Sequence, residues 1–444
     1  MTPLHATYAY ARIVLNTMFP RLFVALTLTL ACTREVIAQP ANRVDFAARW
    51  VEDIDFMVKG LSARGMTIDL ARGPSSRGQK DFEKLYPPSI FEPAIAELKG
   101  KLPELTNADV VLELMRIHAG AKVAHNSIGI PGTMGFEKRL AVAFNWYADG
   151  LVITSGSAAH REIVGTRVLK IGTKSPEEVL ASVAPFIAQE NQVWVRDQSA
   201  RLMTLDPILS RIGVKERDGS IRLTVDDPRS GTREVRLFFT STREEQEHFR
   251  KVQAVPTTVY ASAGQRYYWH RYLEDSRTLY VQYNVCAKDP KLSMDEFTRQ
   301  VRTELNNRPV ERVVLDLRFN GGGDSRVINP LKDAITSRQR PVFVLIGTGT
   351  FSSAIDNAIQ MKRLGATLVG EPTGGTPSGY GEVKTLTLPN SKLQVRFTSK
   401  FFSVPKLLDT DSLRPDILAP RTFRDTLAGR DAGLEAALAT RVAK

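Results

Sequence analysis

The sequence predicts a protein of mixed α/β and β class, with an N-terminal helical region, a β-rich module and a C-terminal α/β domain. Short apolar runs separated by helix-length segments are typical of buried parallel strands. Three such runs lie in the C-terminal part of the chain, at residues 312–317, 341–346 and 366–369. Strand-like segments between turn residues predict the β-rich module, and apolar residues at helical spacing predict the helical region.

The composition is that of a globular protein. Of the 444 residues, 43% are hydrophobic and 24% are charged, which excludes a disordered or collagen-like chain. The 60 Lys and Arg residues outnumber the 48 Asp and Glu residues. They are scattered along the chain, and no zinc-finger or RNA-binding signature accompanies them. We therefore predict a solvated basic surface and no nucleic-acid partner.

Residues 1–38 have the order of features of an export signal. Arg12 and Arg21 precede the apolar stretch 22–32, which is too short to cross a bilayer as a mature helix. Val36-Ile-Ala38 then supplies small residues for a cleavage site. We predict cleavage after this tripeptide, a periplasmic or secreted mature protein, and no stable membrane span after signal removal. An uncleaved anchor is the alternative.

The helical region is predicted over residues 39–127. Four apolar residues recur there at helical spacing, namely Phe46, Trp50, Ile54 and Met57. Asn107 stands where the N-cap of a later helix is expected. His118 lies on the apolar face of that helix, so we predict that it is packed in the core. His125 lies just beyond the helix, where a loop can carry it to a cleft.

The β-rich module is predicted over residues 128–250. Its four predicted strands lie between turn residues, at 150–154, 167–171, 221–225 and 234–238. The stretch Ser175-Pro-Glu-Glu178 predicts one helix within the module. It combines a Ser cap, Pro at the first helical position and Glu three residues after the cap.

Cofactors and metals have no signal in the sequence. Cys32 and Cys286 are the only cysteines, and removal of the export signal leaves Cys286 alone. One thiol can form neither a disulfide framework nor a cysteine-based metal site. The six His residues show no metal-ligand spacing. We therefore predict no cofactor and no metal.

The chemistry concentrates in the C-terminal α/β domain, predicted over residues 256–444. After the first buried strand, the segment 318–324 contains three consecutive glycines, whose N–H groups can point together at an anion. A nucleotide loop, an oxyanion hole and a plain tight turn are the possible interpretations. After the next strand, Ser352 or Ser353 falls at a helix N-terminus, where the helix dipole favours a developing oxyanion. A helix cap is the alternative role for either serine.

These segments carry a resemblance to a known family. The stretches Asp316–Gly323, Thr350–Ala354 and Gly370–Gly375 resemble motifs of the tail-specific, C-terminal-processing serine proteases. That family includes tricorn-like proteases and the repeats of the interphotoreceptor retinoid-binding protein. The likeness covers roughly residues 256–420 and implies a ClpP/crotonase-like α/β core with a peptide or protein substrate. The strand at 168–171, with the helix after it, is similar to the PDZ-like module of the family.

The resemblance also implies roles for individual residues. The Ser-Ala-x-acid pattern of the family matches Ser353-Ala-Ile-Asp356. It makes Ser353, rather than Ser352, the nucleophile. The oxyanion hole of the family maps to the backbone N–H groups of Gly322 or Gly323 and of Ala354.

The family offers two kinds of base. Its bacterial branch uses a lysine from a Gly-Lys-Gly motif, and the matching stretch here, Gly374-Gly-Thr-Pro377, contains no lysine. Its tricorn-like branch uses a histidine from well upstream, in an Asp-Gly-His-Thr pattern. The stretch Val123-Ala-His-Asn126 keeps only the histidine of that pattern, His125. An imidazole can take a serine proton near neutral pH. Glu382 and Asp356 are both candidates for the acid that orients this imidazole.

The predicted function is therefore an exported serine peptidase with a histidine base. The first alternative is a catalytically inactive ligand- or peptide-binding protein of the same fold. The second is an acyl-group enzyme of the related crotonase fold, which requires a pocket for the adenine of coenzyme A.

Overall fold

A computed structural model describes residues 43–65, 82–228, 230–241, 252–253, 258–260, 266–337, 340–407 and 410–440. The predicted export signal, residues 1–38, lies outside these ranges. The α-helices are α1 (Arg43–Gly65), α2 (Pro88–Lys101), α3 (Asn107–Ala119), α4 (Pro176–Val183), α5 (Gln192–Leu202), α6 (Asp206–Arg211), α7 (Met294–Asn307), α8 (Asn329–Thr336), α9 (Ser353–Arg363), α10 (Phe423–Leu427) and α11 (Ala432–Ala439). Short 3-10 helices occupy Leu102–Glu104, Ala158–Ile163, Ala184–Phe186, Glu274–Ser276 and Pro405–Leu407. Within the described ranges, no helix is both long enough and apolar enough to cross a membrane.

The strands are short and lie mostly in the second half of the chain. They are β1 (Ser127–Ile128), β2 (Lys138–Leu140), β3 (Val142–Tyr147), β4 (Gly150–Gly156), β5 (Arg167–Ile171), β6 (Ile221–Asp227), β7 (Gly231–Leu237), β8 (Phe239–Ser241), β9 (Val252–Gln253), β10 (Tyr268–Leu273), β11 (Thr278–Tyr283), β12 (Arg312–Asp316), β13 (Val342–Ile346), β14 (Thr367–Gly370), β15 (Gly379–Thr387), β16 (Gln394–Phe402) and β17 (Ile417–Leu418).

The C-terminal region contains a six-stranded sheet in the order β10-β11-β12-β13-β14-β17. Neighbouring strands from β11 to β17 are parallel, and β10 pairs antiparallel with β11 at one edge. Every residue of β13 is buried, as expected for a parallel strand that is covered on both faces. The mixed α/β class predicted for the protein is confirmed.

Helices cover both faces of this sheet, because successive strand residues point to opposite sides. Val313 of β12 belongs to one hydrophobic cluster with Val301 of α7 and Ile359 of α9. The next residue, Val314, belongs to a second cluster with Leu434 of α11. The ends of β12 and β13, which carry the predicted site, are therefore held by packing on two sides.

The β-rich region forms an antiparallel sheet in the order β3-β4-β5-β6-β7, with β9 paired to β4. Strands β4, β5, β6 and β7 coincide or overlap with the four predicted strands. Helix α4 begins with the predicted capping box, in which Ser175 accepts from the N–H of Glu178 and the Glu178 side chain accepts from the N–H of Ser175. The domain limits given above stay predictions.

The helices α1 and α3 share one hydrophobic cluster with the β-rich sheet and with the hairpin β15–β16. Ile54 of α1, Leu114 of α3, Val168 of β5 and Phe397 of β16 all belong to it. Strand β1 begins two residues after His125 and pairs with β16. This pairing holds the segment that carries the histidine against a hairpin of the C-terminal region.

The N-cap of α3 is Thr106 rather than the predicted Asn107. The Thr106 hydroxyl accepts the N–H of Asp109 at 3.2 Å, and the Asp109 carboxylate accepts the N–H of Thr106 at 3.0 Å. The side-chain oxygen of Asn107 instead accepts the indole N–H of Trp50 at 2.9 Å. Asn107 thus joins α3 to α1, and the cap lies one residue earlier.

Candidate active site

Ser353 is the first residue of α9, which follows β13 after a short turn. Its hydroxyl donates a hydrogen bond to the carbonyl oxygen of Gly323 at 2.6 Å. The preceding residue, Ser352, has φ 54° and ψ −129°, a backbone conformation that favours glycine. This sharp turn brings the Ser353 hydroxyl to the glycine loop after the neighbouring strand β12.

The glycine loop approaches the serines closely because it has no side chains. Gly322 has φ 99°, and a Cβ atom added there would lie 2.7 Å from the Cβ atom of Ser352. Gly323 has φ 134°, and a Cβ atom added there would lie 2.2 Å from the carbonyl oxygen of Cys286. Neither position has room for a larger residue, so the close contacts with Ser352 and Cys286 require glycine at both positions.

The three predicted oxyanion donors differ in their hydrogen bonds. The N–H of Gly322 donates to the side-chain oxygen of Asn320 at 2.9 Å. The N–H of Ala354 donates to the carbonyl oxygen of Phe351 at 3.1 Å. The N–H of Gly323 has no acceptor in the part of the chain that the structure describes. Gly323 is therefore the donor that can bind an oxyanion without first giving up a hydrogen bond.

His125 lies between α3 and β1, and its ring packs against the ring of Phe351. The ring centroids are 4.5 Å apart, with 35° between the planes. Both ring nitrogens are buried and have no hydrogen-bond partner among the described residues. Burial lowers the pKa of His125 to about 4, so the imidazole is neutral at neutral pH. A neutral imidazole can accept a proton, although Ser353 is not hydrogen-bonded to it in this structure.

His118 has the structural role that was predicted for it. The side chain is buried. Its Nδ1 lies 2.9 Å from the hydroxyl of Tyr86, and its Nε2 lies 2.7 Å from the carbonyl oxygen of Arg396. Both nitrogens of this ring are therefore satisfied, whereas neither nitrogen of His125 is. Buried polar atoms without partners are rare in folded proteins, which singles out His125.

Comparison with known proteins locates this arrangement in a known fold. No protein-family model matches the sequence, and no curated protein matches it. Solved structures do match. Mature CPAF complexed with lactacystin aligns with a TM-score of 0.57 over 88% of this chain and 97% of that chain, at 14% identity. A serine-to-alanine variant of CPAF aligns with a TM-score of 0.59 over 88% and 96% of the two chains, also at 14% identity.

The chain has a tail-specific protease fold. The photosystem II D1 C-terminal processing protease also matches, with a TM-score of 0.35 at 14% identity over 81% of this chain and 99% of that chain. The two CPAF alignments, with TM-scores above 0.5, establish a likeness of fold alone at 14% identity.

Within this tail-specific protease fold, the structure gives a physical reason for the missing lysine. The Phe351 ring stacks on Trp194, with 4.1 Å between centroids and 14° between planes. A Cβ atom added at Gly375 would lie 2.8 Å from Cδ2 of Phe351. One added at Gly374 would lie 2.2 Å from the carbonyl oxygen of Thr348 and 2.9 Å from Cε3 of Trp194. The aromatic pair occupies the space that a side chain from this loop would need.

Neither predicted acid contacts His125. Glu382 is exposed on β15 and forms an ion pair with Lys384 at 3.8 Å. Asp356 lies in the first turn of α9, where it accepts the side-chain N–H of Gln360 at 2.8 Å. Neither carboxylate therefore orients the imidazole in this structure. The described residues also include no group of three or more His, Cys, Asp and Glu side chains placed to hold a metal ion.

Glu190 approaches the site from the β-rich region and was not predicted. One of its carboxylate oxygens accepts the N–H of Ala124 at 3.3 Å, and the other accepts the N–H of Thr376 at 3.4 Å. Burial raises the pKa of Glu190 to about 7. An acidic residue outside any motif carries no signal in the sequence, because only the fold places it beside the His125 loop.

A buried ion-pair network fixes the start of the glycine loop. Arg318 donates to Asp316 at 2.6 Å and to Asp431 at 2.7 Å, and all three side chains are buried. Asp431 is also the N-cap of α11. The network therefore ties the loop after β12 to the C-terminal helix, and no spacing in the sequence predicts it.

Proposed function

We propose that the protein is a serine peptidase in which Ser353 attacks the carbonyl carbon of a peptide bond. The observation that carries this proposal is the 2.6 Å contact of the Ser353 hydroxyl with Gly323 at the N-terminus of α9. A hydroxyl in that place stands beside backbone N–H groups that can stabilise an oxyanion. The tail-specific protease fold supports the same assignment.

His125 acts as the general base in this proposal. A serine hydroxyl is a weak nucleophile until a positioned base takes its proton. The ring of His125 packs on Phe351, two residues before Ser353, and its nitrogens have no hydrogen bond to any described residue that they would have to give up. Catalytic hydrogen bonds are often long in free enzymes and tighten when substrate binds. We therefore propose that substrate binding displaces the ring contact and brings His125 to Ser353.

The proposed reaction has two acyl-transfer steps. The Ser353 oxygen adds to the carbonyl carbon while its proton moves to His125, and the N–H groups of Gly323 and Ala354 hold the oxyanion. To do so, the N–H of Ala354 gives up its hydrogen bond to the carbonyl oxygen of Phe351. The imidazolium then protonates the leaving amine as the C–N bond breaks. A water molecule, deprotonated by the imidazole, releases the acyl group and restores the serine.

The other parts of the chain receive matching roles. We propose that the C-terminal sheet is a ClpP/crotonase-like core and that the β-rich region is a PDZ-like module. PDZ modules bind extended chain ends by adding a strand to a sheet edge, so this module would present a peptide or protein substrate. Deletion of the β-rich region without loss of peptide turnover would contradict that role.

We also propose that residues 1–38 export the protein to the periplasm or the medium. Mass spectrometry of the secreted protein tests this part of the proposal. An N-terminus near Gln39 supports it, and secreted protein that retains residues 1–38 contradicts it.

A catalytically inactive binding protein of the same fold is the second candidate. It is favoured by one observation, the absence of a hydrogen bond between Ser353 and His125. A fluorophosphonate probe separates the two candidates, because it reacts with activated serines. Labelling that is lost in Ser353→Ala and retained in Ser352→Gly supports the peptidase. If the wild-type protein takes up no label at any pH, the inactive binding protein is supported instead.

A further inference from the structure

Glu190 connects two loops of the candidate active site. Its Oε1 accepts the N–H of Ala124 at 3.3 Å, and its Oε2 accepts the N–H of Thr376 at 3.4 Å. Ala124 directly precedes His125, and Thr376 directly follows the glycine pair that packs on Phe351 and Trp194. One carboxylate therefore joins the loop that carries the proposed base to the loop that supports the aromatic ring beside it.

The backbone next to Glu190 is anchored by the hydrogen bonds of Asn191. Asn191 caps α5 by accepting the N–H of Trp194 at 2.8 Å. The side-chain amide of Asn191 also donates to the carbonyl oxygen of Asp411 at 2.6 Å. These bonds hold the main chain at Glu190, from which the carboxylate reaches both loops.

Among the residues that the structure describes, no cation forms an ion pair with the Glu190 carboxylate. Burial raises its pKa to about 7, and the hydrogen bonds from Thr376 and Ala124 oppose this shift, with no contribution from a charged side chain. The titratable side chains on the segments beside it are Lys122 and His125 on one loop, Tyr380 at the start of β15, and Asp411, which is exposed and pairs with Arg414 at 3.6 Å. Lys122 is exposed, and burial keeps the imidazole neutral at this pH.

We propose that Glu190 is a positioning residue for His125, and that its carboxylate holds the 123–126 loop, through the N–H of Ala124, where the imidazole can serve Ser353. This inference rests on the peptidase function proposed above. A charged acceptor forms stronger hydrogen bonds than a neutral one. Ionisation of Glu190 therefore strengthens both loop contacts, and the positioning improves as the pH rises through about 7.

The pH at which activity changes distinguishes this role from titration of the base itself. Burial lowers the pKa of His125 to about 4 and raises that of Glu190 to about 7. Protonation of the imidazole therefore limits the reaction only in acid. A change in Ser353 reactivity near neutral pH belongs to the carboxylate.

The first experiment measures the rate of fluorophosphonate labelling at Ser353 from acid to alkaline pH in the full chain. It compares the wild type with E190Q, which keeps the side-chain volume and one acceptor oxygen but loses the charge. E177Q is the matched control, because Glu177 is exposed in the first turn of α4 of the same region. Thermal unfolding confirms that each variant is folded.

We expect the wild type and E177Q to gain on the order of tenfold in labelling rate as the pH rises through neutrality, because hydrogen bonds to an ionised acceptor are about twice as strong as those to a neutral one. E190Q should lack this step at neutral pH. An unchanged step in E190Q would overturn the inference.

The second experiment does not depend on catalysis. In Ser353→Ala protein with isotope-labelled histidines, the His125 resonance is assigned by its loss in His125→Phe. It should shift near pH 7 when Glu190 is present and not in E190Q. If the His125 resonance shifts but the wild-type protein takes up no label, the positioning role is supported and the peptidase function is overturned. If the wild-type protein is labelled but shows neither the pH step in rate nor the shift of the His125 resonance, the positioning role is overturned and the peptidase function stands.

Discussion

The ring of His125 packs against the ring of Phe351, with 4.5 Å between their centroids. The two nitrogens of the imidazole are buried there with no partner in the described part of the chain, and an unpartnered buried polar group typically costs about 1–3 kcal/mol. An apolar ring would fill the same space without that cost. Packing alone therefore explains the imidazole poorly, which agrees with the role of base proposed for it.

His125→Phe should make the protein more stable and inactive. We expect the free energy of unfolding in urea to rise by about 1–3 kcal/mol, because two unpaired nitrogens are removed. Fluorophosphonate labelling of Ser353 should fall by about a hundredfold or more, the usual contribution of a general base. His118→Phe is the control, and it should destabilise the fold because Tyr86 and Arg396 each lose a hydrogen-bond partner. A His125→Phe variant that labels as fast as wild type would exclude the imidazole as base.

Ser353→Ala should abolish peptide cleavage and probe labelling, whereas Ser352→Gly should retain both. Ser352 has φ 54° and ψ −129°, so glycine relieves backbone strain of about 1 kcal/mol or more at this position. Ser352→Gly should therefore also raise the midpoint of urea unfolding. Labelling that follows Ser352 instead would reassign the nucleophile.

Arg318→Met should lower the free energy of unfolding by about 3–5 kcal/mol. The substitution leaves Asp316 and Asp431 as buried carboxylates without their cation. Breaking a buried ion pair in this way costs much more stability than the intact pair contributes. Arg326→Met is the matched control, because Arg326 pairs with Asp324 at the surface and an exposed pair contributes about 0–1 kcal/mol. The measurement is the free energy of unfolding of each variant in urea. Equal losses in the two variants would mean that the Arg318 network is not stabilising.

The elements that the sequence predicts well are those set by local pattern. The apolar runs at 312–317 and 341–346 correspond to β12 and β13, because burial on both faces requires continuous apolar residues. The meeting of Ser353 with the glycine loop also follows from local features, since adjacent parallel strands end at the same edge.

The elements that it predicts poorly depend on distant partners. Asn107 loses the capping role because Trp50, far away in the chain, takes its side-chain oxygen. Glu382 pairs with Lys384, and Asp356 accepts a hydrogen bond from Gln360, so neither contacts His125. Such choices are made by tertiary packing, and no spacing rule in a single sequence encodes them.

Gly375→Lys should not restore a Ser/Lys site. The added side chain meets the Phe351 ring, since even its Cβ atom would lie 2.8 Å from Cδ2. We expect a loss of about 1–3 kcal/mol in unfolding free energy from overpacking, and no recovery of labelling when the substitution is combined with His125→Phe. Gly132→Lys is the control, because a Cβ atom there would meet nothing within 4 Å. Rescue of labelling by Gly375→Lys would show that the loop can deliver an amine to Ser353.

Glu190→Gln should change the pH dependence of stability. The pKa of Glu190 is raised from 4.5 to about 7 in the folded protein, so between these values the native state holds a proton that the unfolded chain has lost. Stability conferred by that proton falls as the pH rises through this window. Because one pKa unit corresponds to about 1.4 kcal/mol, the loss can reach about 3 kcal/mol above neutrality.

The measurement is the difference in unfolding free energy between E190Q and wild type across that range of pH. We expect a small difference in acid that grows in favour of E190Q as the pH rises, whereas E177Q should run parallel to wild type. His118 and His125 titrate in both proteins, with folded pKa values of about 4, so their effect cancels in the difference. A constant difference would mean that Glu190 does not titrate in this window. If the difference grows as labelling of the wild type improves, the ionised carboxylate opposes folding and favours the reaction at the same pH.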